Sequence, residues 1–230
     1  MKRSEINHYI KETMVFFTSQ QFYLPQWAYF SPMQWKTTGK EYQEIFDNCL
    51  GWDITDFGKG NFLKEGLVLF TIRNGNFANS MYSKAYCEKI MMVKLQQIIP
   101  MHFHLNKMED IINRGGGDLV IELWKSDKNG ELSNENFKVQ LDGVSRTIAG
   151  GSMITLTPGE SITLEPLIYH RFWAEKEPAL IGIVSKVNDD KKENRFLEPL
   201  VVNQKIDEDE LPIYLLCSDY PKIIQKQSQA

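Results

Sequence analysis

The sequence predicts a mainly β protein built as an antiparallel jelly-roll barrel, with helices before the barrel and a C-terminal tail packed on it. Two observations carry this prediction. From about residue 62 the chain consists of short runs rich in β-branched and aromatic residues, separated by Gly, Asn, Asp and Pro. About eight such runs follow one another without a helical pattern between them, which favours an antiparallel sandwich or barrel over a parallel sheet.

The length and composition are those of a single globular domain. The chain has 230 residues, of which 42% are hydrophobic and 24% are charged, so it can bury a sizeable core without disulfide bonds. Within this domain we expect residues 1–60 to form a helical and irregular segment that packs on the barrel. Residues 61–230 are expected to form the barrel and its C-terminal extension.

The segments outside the barrel have distinct patterns. The first 20 residues predict an amphipathic helix with Ser4 as its cap, residues 40–49 predict a second short helix, and residues 21–36 predict an irregular segment because Pro25 and Pro32 interrupt them. The tail after residue 189 should fold back on the barrel, with the charge run IDEDE as a solvated face. The apolar face of the first helix consists of Ile6, Tyr9, Ile10, Thr13 and Phe17.

Charge and cysteine usage exclude several partners. The formal net charge is -4 and the pI about 5.7, and Lys and Arg do not cluster, so nucleic acid and membrane surfaces are not expected as partners. No apolar run reaches the roughly 20 residues that cross a bilayer, and the polar N-terminus predicts a cytoplasmic protein. Cys49, Cys87 and Cys217 form no CxxC pair, which is typical of reduced, buried thiols.

The histidines point to a metal site. His102 and His104 lie two apart after an apolar run, and residues two apart on a strand face the same side. Glu109 follows five residues after His104, and His170 lies in a later predicted strand that can share the barrel interior. We predict that these four residues bind one divalent metal, and that His8 is a surface residue on the first helix.

The same residues carry a resemblance to known proteins. HFHLNKMEDIINRGG is similar to the first cupin signature, His-x-His, four residues, Glu, then six residues and Gly116. The second signature is matched only in part, because Pro158 and Gly159 lie farther from His170 than is usual. The fold that this resemblance implies is a cupin jelly-roll β-barrel.

A longer stretch, from about residue 60 to 220, resembles the D-lyxose isomerase family. The segments MHFHLNKMEDIINRGGGDLVIELW, PGESITLEPLIYHRFW and VNDDKKENRFLEPL carry the resemblance. It implies a manganese-dependent homodimer that interconverts free D-lyxose and D-xylulose, and often D-mannose and D-fructose. The donor set alone leaves the metal open, since imidazole and carboxylate also suit Fe²⁺, Co²⁺ and Zn²⁺.

The reaction that the family implies assigns roles to nearby residues. Moving a proton between C1 and C2 through an enediol requires a Lewis acid and a base within hydrogen-bond reach. Glu109 is the first candidate base as well as a ligand, and Lys107 is the candidate for stabilising the enediolate. Asp190, Arg195 and Glu198 follow the last barrel strand, where the tail can close the barrel mouth, and we expect them to bind sugar hydroxyls.

Two other functions fit the same donor set. A non-haem iron cupin dioxygenase uses three histidines and one glutamate with open positions for oxygen, and a non-catalytic sugar-binding cupin has the fold without turnover. Oxygen uptake distinguishes the first from an isomerase. The presence of proton-transfer residues distinguishes the second.

Overall fold

The structure, a computed structural model, describes residues 1–200 and 205–222. Short 3₁₀ turns cover Gln26–Tyr29, Lys40–Tyr42 and Cys217–Asp219. The helices and strands are, in chain order, α1 (Arg3–Ser19), α2 (Pro32–Lys36), α3 (Gln43–Asp47), β1 (Gly51–Thr55), β2 (Leu67–Arg73), β3 (Tyr86–Val93), β4 (Ile99–His104), β5 (Glu109–Ser126), β6 (Leu132–Ser133), β7 (Phe137–Leu141), β8 (Val144–Ile148), β9 (Ser152–Leu156), β10 (Ser161–Leu164), β11 (Ile168–Lys186), α4 (Asp190–Glu193) and β12 (Asn194–Phe196).

Two long strands, β5 and β11, hold the barrel together. Each of them pairs with different strands along its length. One part of the pair lies in the strand order β1-β2-β3-β11-β5-β10-β7-β8. In the other part β11 pairs with β4 and β5 pairs with β9. All of these strand pairs are antiparallel. The predicted mainly β barrel is therefore confirmed. The described residues form 12 strands rather than about eight, because β1 precedes residue 62, β6 and β12 are very short, and β8 is polar and exposed.

The bend in the long strands depends on glycine. The β5–β11 register shifts between Glu175 and Ala179, opposite a run of three glycines in β5. A Cβ on Gly116, which has φ +78°, would lie 2.2 Å from the carbonyl oxygen of Pro178. Only glycine allows the two backbones to approach this closely at a positive φ.

The core has two apolar layers because both faces of β2 and β3 are buried. Leu69 and Met91 face the barrel interior, whereas Val68 and Phe70 alternate to the outside and pack against α1. The predicted face of α1 is buried at Ile6, Ile10, Thr13 and Phe17. The strand β1 pairs with β2 although it precedes residue 61, where the sequence placed the start of the barrel; the division at that residue stays a prediction.

The C-terminal tail is tied to α1 by charge. Arg3 is fully buried and donates to Glu208 at 2.7 and 2.9 Å and to Asp219 at 3.0 Å through two nitrogens. The cap of α1 is Lys2 rather than Ser4, because the Ser4 hydroxyl donates to Asp209 at 2.7 Å. The four acidic residues of IDEDE are exposed, in agreement with the predicted solvated face, and Glu208 also pairs with Arg3.

Residues 21–36 are more regular than their prolines suggested. The Ser31 side chain accepts from the backbone N–H of Gln34, whose own side chain accepts from the Ser31 backbone, and Pro32 occupies the first turn. This capping box starts α2. No helix in the described ranges is long and apolar enough to cross a membrane.

The cysteines differ in environment. Cys87 is buried, as predicted, whereas Cys49 is exposed and Cys217 is half-buried. The prediction of burial was wrong for Cys49, which lies in the turn after α3.

Candidate metal centre and cavity

Four predicted donors converge inside the barrel. Strand alternation places His102 and His104 on the inner face of β4, and the β4–β11 register sets His170 opposite His102. The ligand atoms of the three histidines lie within 4.8 Å of one another. Glu109, the first residue of β5, brings its Oε1 to 3.1 Å from His104 Nε2 and 3.2 Å from His170 Nε2.

These donors fit a divalent metal. Within the described part of the chain, His104 Nε2 and His170 Nε2 are buried without a hydrogen-bond partner, although Glu109 Oε1 is near enough in distance. Nitrogen and oxygen ligands at about 2.1 Å from one ion and at right angles to each other lie roughly 3 Å apart. The distances to Glu109 are therefore those of neighbouring ligands, and the orphaned nitrogens are accounted for by a shared cation.

Backbone carbonyls fix the orientation of two rings. His102 Nδ1 lies 2.8 Å from the carbonyl oxygen of Pro100, and His170 Nδ1 lies 3.1 Å from that of Ile168. A carbonyl can only accept, so each Nδ1 carries the proton and donates it. Each Nε2 keeps its lone pair for a ligand bond, which is the usual arrangement behind metal-binding histidines.

Charge states in the site favour cation binding. Burial, together with the neighbouring imidazoles, lowers the pKa of His102, and burial lowers the pKa of His104 against the attraction of Glu109. Burial also opposes ionisation of Glu109, but the Lys107 ammonium and His104 overcome it and hold the pKa of that carboxyl well below its usual range. The result is an ionised Glu109 carboxylate beside His102 and His104, whose imidazoles resist protonation.

The donors lie in a cavity of about 330 Å³. Strands β1, β2, β3, β4, β5 and β11 supply its walls, and β12 closes one side by pairing with β4. This pairing stacks the Phe196 ring on His102, with ring centroids 5.2 Å apart. The remaining wall is largely apolar, with Phe57, Leu69 and Met91 among the lining residues. A cavity of this size, apolar with a few convergent polar groups, is typical of a small-molecule site.

Lys107 lies in the cavity, as the sequence predicted. Its Nζ is 3.0 Å from Glu109 Oε2 and donates to Asn188 Oδ1 at 3.2 Å. The backbone N–H groups of Asn106 and Lys107 donate to the Glu193 carboxylate at 2.8 and 3.0 Å. This anchor was not predictable from sequence patterns, because Glu193 lies 86 residues away from Lys107 in the chain.

The three predicted tail residues have different positions. Asp190 lines the cavity, where its carboxylate pairs with Lys89 at 3.3 Å. Arg195 points out of β12 and donates to the carbonyl oxygens of Lys192 and Asn194. Glu198 is 77% exposed and pairs with Lys59. Neither Arg195 nor Glu198 lines the cavity. Asn194 and Phe196 face the cavity, and the alternation of side chains along β12 turns Arg195 to the opposite side.

Two charged residues of the cavity were not predicted. Asp53 of β1 and Lys89 of β3 both line the cavity. Asp53 lies in the segment that was expected to pack outside the barrel, so its carboxylate was not considered. Lys89 lies in the apolar run KIMMV, where its alternation with Met91 was the signal that it faces inward.

Comparison with known proteins gives the family. The family model described as D-lyxose isomerase matches residues 1–220. The D-lyxose/D-mannose isomerase of Escherichia coli O157:H7 is 48% identical over 223 residues, which are 96% of this chain and 98% of that protein. The D-lyxose/D-mannose isomerase of Serratia proteamaculans is 47% identical over 227 residues, which are 97% of this chain and 100% of that protein.

Solved structures give the fold. A mutant L-ribose isomerase of Acinetobacter sp. DL28 in complex with L-ribose has a TM-score of 0.55 at 14% identity, covering 86% of this chain and 93% of that one. The ligand-free L-ribose isomerase of Cellulomonas parahominis has a TM-score of 0.56 at 14% identity, with 86% and 93% covered. The cupin-type fold and the enzyme class predicted from the sequence are confirmed, and the chain belongs to the D-lyxose isomerase family.

Proposed function

We propose that this chain is a metal-dependent aldose–ketose isomerase that interconverts D-lyxose and D-xylulose, and D-mannose and D-fructose, as free sugars. The observation that carries the proposal is the set of three histidines and Glu109 in the wall of the 330 Å³ cavity. The names of the two bacterial relatives support the choice of sugars. A cytoplasmic homodimer belongs to the same proposal, with the family resemblance as its support.

His102, His104, His170 and Glu109 would hold the metal. Manganese is the ion that the family resemblance favours, and Co²⁺, Fe²⁺ or Zn²⁺ suit the same donors. When bound, a divalent ion supplies the positive charge that stabilises oxyanions as they develop at O1 and O2 of the sugar. Each other part of the reaction falls to the side chains around the donors.

Both oxygens of Glu109 are already engaged. Its Oε1 faces the imidazole nitrogens, and its Oε2 lies 3.0 Å from the Lys107 ammonium. We therefore assign Glu109 to metal binding and no longer to proton transfer. Lys107 keeps the role predicted for it, because its buried ammonium can donate to an enediolate oxygen next to the donors.

Asp190 is the carboxylate that we assign to proton transfer. It lines the same cavity, and the charges of Lys89 and Lys107 lower its pKa against the effect of burial. It is consequently ionised, the form that removes a proton from C2 and returns it to C1 of a cis-enediol. Its side chain is 54% exposed and is among the residues that line the cavity.

The test is isomerisation in deuterated water. Manganese-loaded protein with D-lyxose or D-mannose should form the ketose, with deuterium incorporated at the reacting carbons and with no oxygen uptake. Asp190→Asn should keep the metal and lose turnover, whereas Glu109→Gln should lose metal affinity as well. Glu198→Gln is the matched control, because its carboxylate lies outside the cavity, and it should behave as the wild type.

Two results would contradict the proposal. Folded protein that forms no ketose with manganese, cobalt, iron or zinc is not this isomerase. Full activity in Asp190→Asn would remove Asp190 from proton transfer while leaving the isomerase assignment intact.

A further inference from the structure

The polar side chains of the cavity form a row of alternating charge. It begins at Glu109 and continues to the Lys107 ammonium, 3.0 Å away. The charge of Lys107 also lowers the pKa of Asp190, and Asp190 pairs with Lys89 at 3.3 Å. The charge of Lys89 in turn lowers the pKa of Asp53. Asp53 is the last member of this row and lies on β1, the strand at the end of the sheet order.

Strand register explains why this end of the row faces the cavity. Asp53 pairs with Leu69, and Leu69 pairs with Met91. Lys89 lies two residues before Met91 and therefore has the same orientation. Since Leu69 and Met91 line the cavity, the carboxylate and the ammonium enter it from the same largely apolar wall, on two strands that flank β2.

The Asp53 carboxylate has few partners. Among the described residues, the hydrogen bond given to it comes from the backbone N–H of Ile54, at 2.8 Å. The side chain is accessible from the cavity, but protein surrounds it. Burial and the charge of Asp190 consequently raise the pKa of Asp53 to about 6, against the opposing effect of Lys89. An ionised group with unused acceptor positions gains from hydroxyl donors.

We propose that Asp53 and Lys89 form the subsite for the sugar hydroxyls remote from C1 and C2, and that Asp53 favours the longer sugar. This inference rests on the proposed function. A carboxylate accepts from two hydroxyls and an ammonium donates to a third, while Leu69 and Met91 contact the C–H faces. D-mannose is one carbon longer than D-lyxose, so its terminal hydroxyl extends farther from the donors toward Asp53.

Kinetics of manganese-loaded Asp53→Asn and Asp53→Ala test the subsite. Loss of a hydrogen bond to a charged group should raise KM for D-mannose about 10- to 100-fold, with a smaller rise for D-lyxose. The kcat should change less than about threefold, because binding remote from the reacting carbons is the same in ground and transition states. The exposed Glu165→Gln is the control and should leave both constants unchanged.

Binding of D-mannitol, followed by calorimetry, supplies a measurement that needs no turnover. The wild-type protein should bind it, and Asp53→Ala should weaken binding about tenfold or more while manganese affinity stays the same. Lys89→Met should weaken it similarly. Asp53→Asn is nearly isosteric, so it keeps the test valid if the other variants fold poorly.

The possible failures are distinct. If wild-type protein isomerises both sugars and the Asp53 variants keep their KM values and mannitol affinity, the subsite is refuted and the isomerase remains. A loss of kcat with unchanged KM would place Asp53 at the reacting carbons instead. Wild-type protein that neither isomerises nor binds mannitol would overturn the proposed function together with this inference.

Discussion

Replacing Asp53 by Asn should make the protein more stable at neutral pH, although the same change should weaken sugar binding. Burial and Asp190 raise the pKa of Asp53 from its ordinary value of 3.8 to about 6, and Lys89 only partly offsets them. The folded protein therefore holds this proton more tightly than the unfolded chain does. Ionising the carboxyl consequently costs the folded state free energy.

Because folding raises the pKa of Asp53, the stability difference between Asp53→Asn and the wild type depends on pH. Below about pH 4 the carboxyl is protonated in both states, so Asp and Asn should be equally stable. Between about pH 4 and 6 the wild type loses stability relative to Asp53→Asn, and above about pH 6 the difference is complete. A shift of this size corresponds to about 3 kcal/mol for a group sealed from water. Asp53 is accessible from the cavity, so screening reduces the expected gain to about 1 kcal/mol.

Urea unfolding of metal-free protein at pH 7 and at pH 4 measures this gain. At pH 7 the variant should have the higher free energy of unfolding, equivalent to a Tm about 2–4 °C higher for a chain of this size. Glu165→Gln, an exposed carboxylate, should show no difference at either pH. A destabilised Asp53→Asn at pH 7, or an equal gain at both pH values, would refute the reasoning.

Two further changes test other parts of the molecule. Lys107→Met should lower kcat about 100-fold, as loss of an oxyanion donor does. Steady-state kinetics on protein assayed for bound metal measures this change, with the exposed Lys138→Met as control. An unchanged kcat would contradict the role of Lys107. Arg3→Met should lower the free energy of unfolding by about 3 kcal/mol, because the buried Asp219 loses both bonds from the guanidinium and keeps the exposed Lys222 ammonium at 3.4 Å. Glu208→Gln, at a half-exposed partner, should cost less in the same urea unfolding experiment, and equal losses would refute this account.

The sequence was most informative where spacing along one strand determines geometry. His102 and His104 could be placed together because alternate residues of a strand share a face, and Glu109 followed closely enough to join them. His170 required a later strand in the same barrel, and the family resemblance supported that step. The converging positions of these four side chains were therefore predictable before any coordinates.

Contacts made across long stretches of chain were not predictable in the same way. The Glu193 carboxylate accepts from the backbone at Lys107, and Arg3 pairs with Asp219 across 216 residues. The position of Arg195 and Glu198 after the last long strand predicts that they bind substrate in the cavity, but neither lines it. Because β12 pairs with β4, Asn194 and Phe196 face the cavity and Arg195, which lies between them, faces outward.

Asp53 and Lys89 illustrate a signal that a sequence does contain. Each is a charged residue at an inward position of a strand whose other inward residues are apolar, as Leu69 and Met91 are in the paired rows. Charged side chains are seldom buried unless paired, and removing them from water costs stability. If Asp53→Asn gains stability and loses affinity for the longer sugar, both effects will have one cause: the cavity disfavours an ionised carboxylate until hydroxyl groups solvate it.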